Sequence, residues 1–285
     1  MFLWFERPEP YRAHARALQP FQVLSERHVA SKETFEGLCI PCGDVQLFKV
    51  AAGPTYASNP NLREGLVCPR GLSNRNRLLA AACLEMSPGR PAILERFSPL
   101  YASLQQRFPE LQGSEFLGPD VPPGASRVVN GTRVRHESIV RLSYPDGSLD
   151  LLVHSDVLEH VPEPSRALSE AARVLAPGGT MLMTVPFFAS RDENFRRAIL
   201  RDDGVVEHLA EPEIHGDPLN PQGALAYHHF GWQLLDQLRE AGFRRAEVGL
   251  WYDVFCGFVS DNHPDLTYGN MLPIVIRASK EPRGQ

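Results

Sequence analysis

Short apolar runs alternate with longer amphipathic stretches over most of the C-terminal two thirds of the chain. The run at residues 149–154 is almost continuously apolar, which indicates a strand buried on both faces of a sheet. Residues 165–175 instead have the spacing of an amphipathic helix, which a Pro-Gly-Gly turn at residues 177–179 ends. Strands that alternate with helices in this way predict an α/β fold, doubly wound around a mostly parallel sheet.

The same pattern predicts seven strands, four helices and one long insertion. The strands include residues 92–94, 113–116, 134–137, 149–154, 180–186, 244–251 and 272–277. The helices include residues 73–86, 99–108, 165–175 and 232–241. Residues 187–230 are too long for a simple connection, so we expect them to form a lid. The predicted organisation is an N-terminal arm at 1–36, a cysteine-containing module at 37–72, a linking helix at 73–90 and the α/β domain at 91–285.

Composition limits the kinds of partner. Of the 285 residues, 43% are hydrophobic and 22% are charged, which is typical of a globular chain. The net charge of -5 repels a phosphate backbone, so we do not expect a nucleic-acid partner. No apolar run reaches the roughly 20 residues that span a bilayer, and the apolar start ends at Glu6, too early for a signal peptide. We therefore expect a cytoplasmic protein that does not bind a membrane.

Polar residues after the first two predicted strands indicate a nucleoside-binding edge, since doubly wound sheets bind ligands at the carboxyl ends of their strands. Glu115 lies about 20 residues after the first strand, where a carboxylate can accept both hydroxyls of a ribose; the alternative is a solvated loop glutamate. The turn from Glu95 to Ser98 lacks the glycines that permit close approach to a ligand, which argues against cofactor binding. Ser98 can instead cap the next helix and offer its hydroxyl to a cofactor's carboxylate.

Four motifs lie in and after the fourth predicted strand. They are Asp150 at its start, DVLEHV at residues 156–161, EAARVL at 170–175 and PGG at 177–179. In this order they resemble the motifs of class I S-adenosylmethionine-dependent methyltransferases, and the resemblance covers roughly residues 36–277. It implies a Rossmann-like, seven-stranded sheet and S-adenosylmethionine as the cofactor.

The resemblance also implies which residues hold that cofactor. It places the acid of Glu137 at the exocyclic amine of adenine, and the backbone of Ser138 and Ile139 at the ring. Residues 212–218 and 227–232 resemble a subgroup in which the first strand also lacks the glycine turn. The complete set of predicted cofactor-binding residues is Glu95, Ser98, Glu115, Glu137, Ser138, Ile139, His154, Ser155 and Asp156.

The cysteines of the N-terminal module form an incomplete metal-binding pattern. Cys39 and Cys42 are one Cys-x-x-Cys pair, whereas Cys68 is followed by Gly71 where a fourth cysteine would stand. The subgroup that the chain resembles often carries a zinc ribbon here, and a structural zinc site takes four ligands. Bound zinc on Cys39, Cys42 and Cys68 and a metal-free, degenerate module both remain open, and we favour the metal-free module.

Candidate catalytic residues come from the fourth strand and the lid. Methyl transfer is a direct displacement, in which an oxygen acceptor is helped by a general base or a metal. We predict that His215 and Tyr227 face the methyl group and that His160 assists, although His160 can equally serve packing. Asp156 and Glu159, with His160, resemble the Glu-x-x-Glu-His arrangement that holds a divalent metal in some methyltransferases of catechols and ribose diols.

The sequence therefore predicts an S-adenosylmethionine-dependent methyltransferase of a small-molecule acceptor. We favour oxygen as the methylated atom, in a metabolite, a sugar or a natural-product intermediate. The alternative is a non-catalytic binding protein that keeps the fold but has lost the cofactor, which the missing glycine turn and the broken cysteine set favour.

Overall fold

A computed structural model describes residues 1–51, 53, 55–56, 59–263 and 271–282. Within them, nine strands form one central sheet. In chain order these are β1 (Leu3–Phe5), β2 (Pro91–Ile93), β3 (Gln112–Glu115), β4 (Ser126–Val129), β5 (Thr132–His136), β6 (Leu149–Ser155), β7 (Leu175–Thr184), β8 (Arg245–Leu250) and β9 (Ile274–Ser279). Their order across the sheet is β1-β8-β9-β7-β6-β2-β3-β5-β4.

Five neighbouring strands, β7, β6, β2, β3 and β5, are parallel to one another. β9 lies antiparallel between β7 and β8, so that β8 has the same direction as the parallel strands. The strand order reverses between β2 and β6, because the chain moves outward from β2 to β5 and then returns to the other side of β2. In doubly wound sheets this reversal marks the crevice that binds ligands. The fold class is therefore the Rossmann-like, mostly parallel α/β architecture that the sequence predicts.

Two edge strands raise the strand count above the predicted seven. β1, from the N-terminal arm, pairs antiparallel with β8, and β4 forms a hairpin with β5. They contain only 3 and 4 residues, too few for a clear alternation of apolar and polar positions. Both strands cover edges that would otherwise present unpaired backbone groups.

Helices pack on both faces of the sheet around two hydrophobic cores. They are α1 (Pro8–Ala30), α2 (Leu62–Gly65), α3 (Asn74–Leu84), α4 (Pro99–Arg107), α5 (Pro164–Val174) and α6 (Gln233–Glu240). One core contains residues of α5 and α6, and the other contains residues of α3 and α4. Successive residues of β6 point to opposite faces, so Leu152 joins the first core while Leu151 and Val153 join the second.

The predicted N-terminal arm is mostly the 23-residue helix α1. This helix reaches both cores, since Tyr11 belongs to the first and Val29 to the second. Among the helices of the described residues, none has the length and apolar character needed to cross a membrane.

The cysteine-containing module is a hairpin, Thr34–Cys39 with Asp44–Lys49, joined by a 3₁₀ turn at Ile40–Cys42. A shorter pair, Thr55–Tyr56 with Asn59–Pro60, follows before α2. Phe48 of the hairpin lies in the same core as Ile93 of β2. The module is therefore packed on the sheet and shares its core.

The predicted lid, residues 187–230, forms three small antiparallel strand pairs. These are Phe195–Arg196 with His228–His229, Ala198–Leu200 with Val206–His208, and Ile214–His215 with Ala224–Leu225. Its two ends meet at a bridge between Phe187 and Phe230. Backbone contacts also fasten it to a 3₁₀ turn at Leu158–His160, because Tyr227 N donates to the carbonyl of Glu159 at 2.7 Å.

Candidate functional site

A cavity of about 750 Å³ lies at the carboxyl ends of the parallel strands, between the sheet, the lid and the N-terminal module. This volume is within the range of small-molecule sites. The predicted cofactor-binding residues that line it are Glu95, Ser98, Glu115, Glu137, Ser138, Ile139, Ser155 and Asp156. Two predicted catalytic residues, His160 and His215, also line it.

Glu115 ends β3 at the rim of the turn that follows β2. Its Oε1 accepts hydrogen bonds from the backbone N–H groups of Arg96 and Phe97, at 2.7 and 2.9 Å. The described residues make no hydrogen bond to Oε2, so this oxygen remains able to accept one from a ligand. Glu115 thus braces the glycine-free turn, a role that its spacing from the first strand does not indicate.

The turn itself brings Glu95 and Ser98 to the cavity. The hydroxyl of Ser98 accepts from the N–H of Tyr101 at 3.0 Å and thereby caps α4. Oε1 of Glu95 is buried and has no hydrogen-bond partner among the described residues. Burial raises the pKa of Glu95 to about 7, although Ser98 and the Arg75 charge oppose that rise.

Glu137 lines the cavity, but its carboxylate is already bound by the protein. Arg135 Nε donates to Oε1 at 2.6 Å, and the backbone N–H of Ser143 donates to Oε2 at 2.8 Å. The Ser143 hydroxyl also donates to Oε1, and the side chain is fully buried. Protein donors therefore engage this carboxylate, and its predicted contact with an adenine amine stays a prediction. Ser138 and Ile139 remain in the cavity wall beside it.

Of the three predicted residues at the end of β6, two line the cavity and one does not. Ser155 and Asp156 line the cavity, and Asp156 has a left-handed backbone with φ of 49°, which turns the chain away from the strand. His154 is fully buried and does not line the cavity, because it alternates with Ser155 and points into the core. Burial lowers the pKa of His154 to about 4, so it is neutral there. The His154 side chain therefore does not reach the cavity, and the contact of His154 with the cofactor stays a prediction.

An ion-pair network from the N-terminal module enters the cavity, and the sequence did not predict it. Arg75, at the start of α3, contacts the carboxylate of Glu64 through Nε at 2.8 Å and that of Asp156 through Nη1 at 3.2 Å. Arg63 Nη2 lies 3.6 Å from Asp156. Burial acts to raise the pKa of Asp156, but these arginines outweigh it and lower that pKa to about 2.

No sequence signal marks this network, because a single arginine on a predicted linking helix does not reveal which strand end it faces. With Asn76, these residues form the wall of the cavity on the module side: Arg63, Glu64, Arg75 and Asn76.

The lid supplies a second cluster, which surrounds the buried carboxylate of Glu159. His215 Nδ1 and His160 Nε2 lie 3.5 and 3.7 Å from Glu159 Oε1. On the far side of its ring, His215 Nε2 is 2.9 Å from Oε1 of Glu213. Glu213 is also 3.0 Å from His229 Nε2, so one lid carboxylate holds two histidines.

The two carboxylates change the expected protonation of His215. Contacts with Glu159 and then Glu213 raise the pKa of His215 to about 9. An imidazolium cannot accept a proton, so His215 acts as a base only after it has lost its own, and its predicted catalytic role stays a prediction. Tyr227 is not among the residues that line the cavity, and its backbone bonds to Glu159 and Arg197. Its predicted place facing the methyl group stays a prediction.

The three cysteines of the module come together away from this cavity. One ligand atom from each of Cys39, Cys42 and Cys68 lies within 4.8 Å of the other two. The guanidinium of Arg77 is fully buried, interacts electrostatically with all three thiols and donates to the carbonyl of Leu66 at 2.7 Å. A fixed positive charge therefore stands beside the thiols, where a structural metal would otherwise supply one.

Comparison with known proteins finds similarity to methyltransferases. Residues 103–183 match the family model for a methyltransferase domain. A probable S-adenosylmethionine-dependent methyltransferase of Mycolicibacterium smegmatis is 40% identical over 53 residues, which is 19% of this chain and 21% of that protein. The ubiquinone biosynthesis O-methyltransferase of Burkholderia pseudomallei is 27% identical over 146 residues, or 49% of this chain and 57% of that protein. The chain thus spans between about a fifth and three fifths of these two relatives.

Among solved structures, an S-adenosylmethionine-dependent methyltransferase of Thermotoga maritima, a possible histamine N-methyltransferase, is 18% identical with a TM-score of 0.41. That match covers 74% of this chain and 90% of the other. The family match and the ligand-binding edge of the sheet support a class I methyltransferase domain. They also support S-adenosylmethionine as its cofactor.

Proposed function

We propose that this chain transfers the methyl group of S-adenosylmethionine to an oxygen of a small-molecule acceptor. The observation that carries the proposal is a single cavity in which the ligand-binding edge of the sheet faces the histidines of the lid. Candidate nucleoside-binding residues and candidate acceptor-binding residues thus share one cavity, as a direct displacement between two ligands requires.

The cavity residues fit this cofactor. Oε2 of Glu115 is placed to accept from the ribose, as the end of the second parallel strand does in nucleoside-binding α/β folds. The orphaned Oε1 of Glu95 is a buried acceptor that suits the cofactor's ammonium group. Ser138 and Ile139 would offer backbone groups to adenine, a part that the enclosed Glu137 carboxylate does not take.

When bound, the cofactor would supply an electrophilic methyl group, and its sulfur would keep the electron pair of the bond to that methyl. His160, which lines the cavity, is our candidate to receive the acceptor's proton. Its Nδ1 lies 2.9 Å from the carbonyl of Leu225 and donates to it, which leaves the lone pair on Nε2. The lid, which a backbone bond between Tyr227 and Glu159 fastens, would shield the transfer from water once both ligands are bound.

We infer a small-molecule acceptor, because the cavity has a volume of about 750 Å³, which is within the range of small-molecule sites. A metabolite, a sugar or a natural-product intermediate with a hydroxyl group would fit. A nucleic-acid acceptor is disfavoured by the net charge of -5.

Calorimetric titration of the full chain with S-adenosylhomocysteine tests the cofactor, and we expect one molecule bound per chain. Adenine alone serves as the matched ligand that lacks the ribose and the amino acid. Transfer of tritiated methyl to a panel of phenols, catechols and sugars then tests the reaction. A folded chain that does not bind S-adenosylhomocysteine would favour the alternative, a binding protein without methyltransferase activity.

A further inference from the structure

The long N-terminal helix α1 has one buried face and one exposed face. The inner face is buried in the protein, as at Tyr11, Glu26 and Val29. The outer face carries five exposed apolar residues, which we call the outer stripe: Ala13, Ala17, Pro20, Phe21 and Leu24. Isolated apolar residues are common on protein surfaces, but a continuous apolar line along one helix face indicates a contact surface.

The outer stripe has large side chains at one end and small ones at the other. Its members follow one another at intervals of four, three, one and three positions, which is the repeat of a single helix face. In the C-terminal half, Phe21 is 58% exposed and Leu24 is 68% exposed. The ring of Phe21 also packs edge-on against Tyr252, at 6.0 Å between centroids, which holds it in this exposed position. The N-terminal half presents only the methyl groups of Ala13 and Ala17.

Opposite charges lie beside the two ends of the outer stripe. Glu9 is in the first turn of α1, and Arg27 and His28 are in the last turn. Glu9 and Arg27 are 18 positions apart, which is about five turns at 3.6 residues a turn, so both lie on the same flank of the stripe. Both side chains are exposed, and the described residues form no ion pair with either.

We propose that the outer stripe of α1 packs antiparallel against the same stripe of a second copy of this chain, in a twofold dimer. Such an interface is formed by one surface that is complementary to itself. With the twofold axis between positions 18 and 19, Ala13 faces Leu24 of the second copy and Ala17 faces Pro20 of the second copy. The large side chains of each helix then lie over the small side chains of the other, which allows the two helices to approach closely.

The charges at the ends of α1 select an antiparallel second copy as the occupant of this surface. A twofold axis perpendicular to both helices keeps each flank on its own side, so Glu9 lies beside Arg27 of the second copy, and the reciprocal pair forms at the other end. Parallel packing would place like charges together at both ends. A partner of a single charge sign would match only one end of the stripe, whereas the second copy matches both.

The size of the helix face predicts a weak dimer. From Glu9 to His28 the helix is about 30 Å long and about 10 Å wide, so the contact covers roughly 300 Å² of each copy. A standard interface buries about 800 Å² of each partner. We therefore expect a dissociation constant in the micromolar range. The dimer needs neither the cofactor nor the acceptor, so it does not depend on the proposed function.

Sedimentation velocity of the full chain, from about 1 to 100 µM, tests the dimer, and we expect the sedimentation coefficient to rise with concentration. Phe21→Glu and Leu24→Glu each place an unpaired charge in the interface and should weaken association about tenfold or more. Val128→Glu, at an apolar side chain of β4 that is 73% exposed, is the matched control and should associate as the wild type does. A monomer at every concentration would overturn the proposal, as would a dimer that persists in either stripe variant.

Charge reversal and cross-linking test the antiparallel direction. Glu9→Lys should weaken the dimer, and the double variant Glu9→Lys/Arg27→Glu should restore it, because each new charge again meets its opposite. Oxidised glutathione should convert Ala13→Cys/Leu24→Cys into a disulfide-linked dimer, whereas the wild type with its five cysteines should stay uncrosslinked. Ala13→Cys alone should also stay uncrosslinked, since its two copies lie about 16 Å apart along the helices. A covalent dimer of Ala13→Cys alone would show parallel packing and overturn the proposal.

Discussion

Glu115 illustrates how one carboxylate can serve both the fold and a ligand. It accepts two backbone N–H groups from the turn after β2 through Oε1, while the described residues make no hydrogen bond to Oε2. The turn therefore does not need glycines to be held in place. The carboxylate at the strand end fixes the turn through hydrogen bonds, whereas a glycine-rich turn relies on the conformational freedom of glycine.

Glu115→Ala should weaken S-adenosylhomocysteine binding by about 1.5–3 kcal/mol, the range for a hydrogen bond to a charged group, which is about 10–150-fold in Kd. Glu115→Gln keeps an amide oxygen for the two N–H groups and should lose less. Glu110→Ala, at an exposed glutamate, is the calorimetric control. Unchanged affinity in folded Glu115→Ala would refute the ribose contact.

Glu95 makes the stability of the chain depend on pH. Burial raises its pKa to about 7 in the folded state, so the folded chain holds this proton more tightly than the unfolded chain does. Stability should therefore fall as the pH rises from the unfolded value of about 4.5 to about 7, by up to about 3 kcal/mol.

Urea denaturation across this pH window measures that effect as the difference between wild type and Glu95→Gln. The variant should become relatively more stable as the pH rises, whereas Glu85→Gln, at an exposed residue, should follow the wild type. Parallel curves for wild type and Glu95→Gln would show that Glu95 titrates normally.

At the scale of elements, α3 connects the N-terminal module to the ligand-binding edge of the sheet. Arg75 at its start pairs with Glu64 of α2 and with Asp156 after β6. Three separate parts of the chain thus meet at one guanidinium. This arrangement sets the position of the module relative to the cavity.

Arg75→Met should destabilise the fold by on the order of 3 kcal/mol, because it leaves two carboxylates in the cavity wall with only Arg63 to pair with. Arg90 provides the matched case, since its ion pair with Asp150 is exposed to solvent. Arg90→Met should hardly move the urea midpoint. Equal midpoints for the two variants would contradict the structural role of Arg75.

At the same scale, the cysteine module brings three thiols together but lacks the fourth ligand that a structural zinc site needs. A hydrogen bond from Cys39 lowers the pKa of Cys68 to about 5, against the effect of burial. Arg77 balances the resulting thiolate. The hairpin is therefore held by a guanidinium and by its core residues.

We predict that the purified chain holds less than one equivalent of cysteine-bound zinc. Titration with Co²⁺ should give no thiolate charge-transfer absorption, which is the signal that reports cysteine ligands. A stoichiometric band that Cys39→Ser removes would show that the module binds metal after all.

At the scale of the whole molecule, the two cores make the module and the sheet one cooperative unit. Phe48 of the hairpin is fully buried and lies under the guanidinium of Arg77 at 4.1 Å. The same core contains Ile93 and Leu182 of the central strands. Loss of packing in the module should therefore lower the free energy of unfolding of the whole chain.

Phe48→Ala should destabilise the chain by about 3–5 kcal/mol, and circular dichroism and tryptophan fluorescence should still report one shared transition. Phe255→Ala, at a phenylalanine that is 55% exposed, is the control and should have a small effect. A separate early transition of the variant in one of the two signals would show that the module folds by itself.

The sequence by itself determined the features that depend on nearby residues. The strand at 149–154, the helix after it and the position of Glu115 follow from local periodicity and spacing, and the structure has β6, α5 and the end of β3 at these places. A motif that lies within one local stretch can be seen without knowing the fold, because the pattern and the element are the same stretch of chain.

Only the tertiary structure decided which distant groups meet. It joined Arg75 to Asp156, enclosed the Glu137 carboxylate with Ser143, and placed His215 rather than Tyr227 beside Glu159. Periodicity shows which face of an element is buried but not which partner covers it. The edge strands and the lid cluster depend on such pairings, which are set by the packing of segments far apart in the sequence.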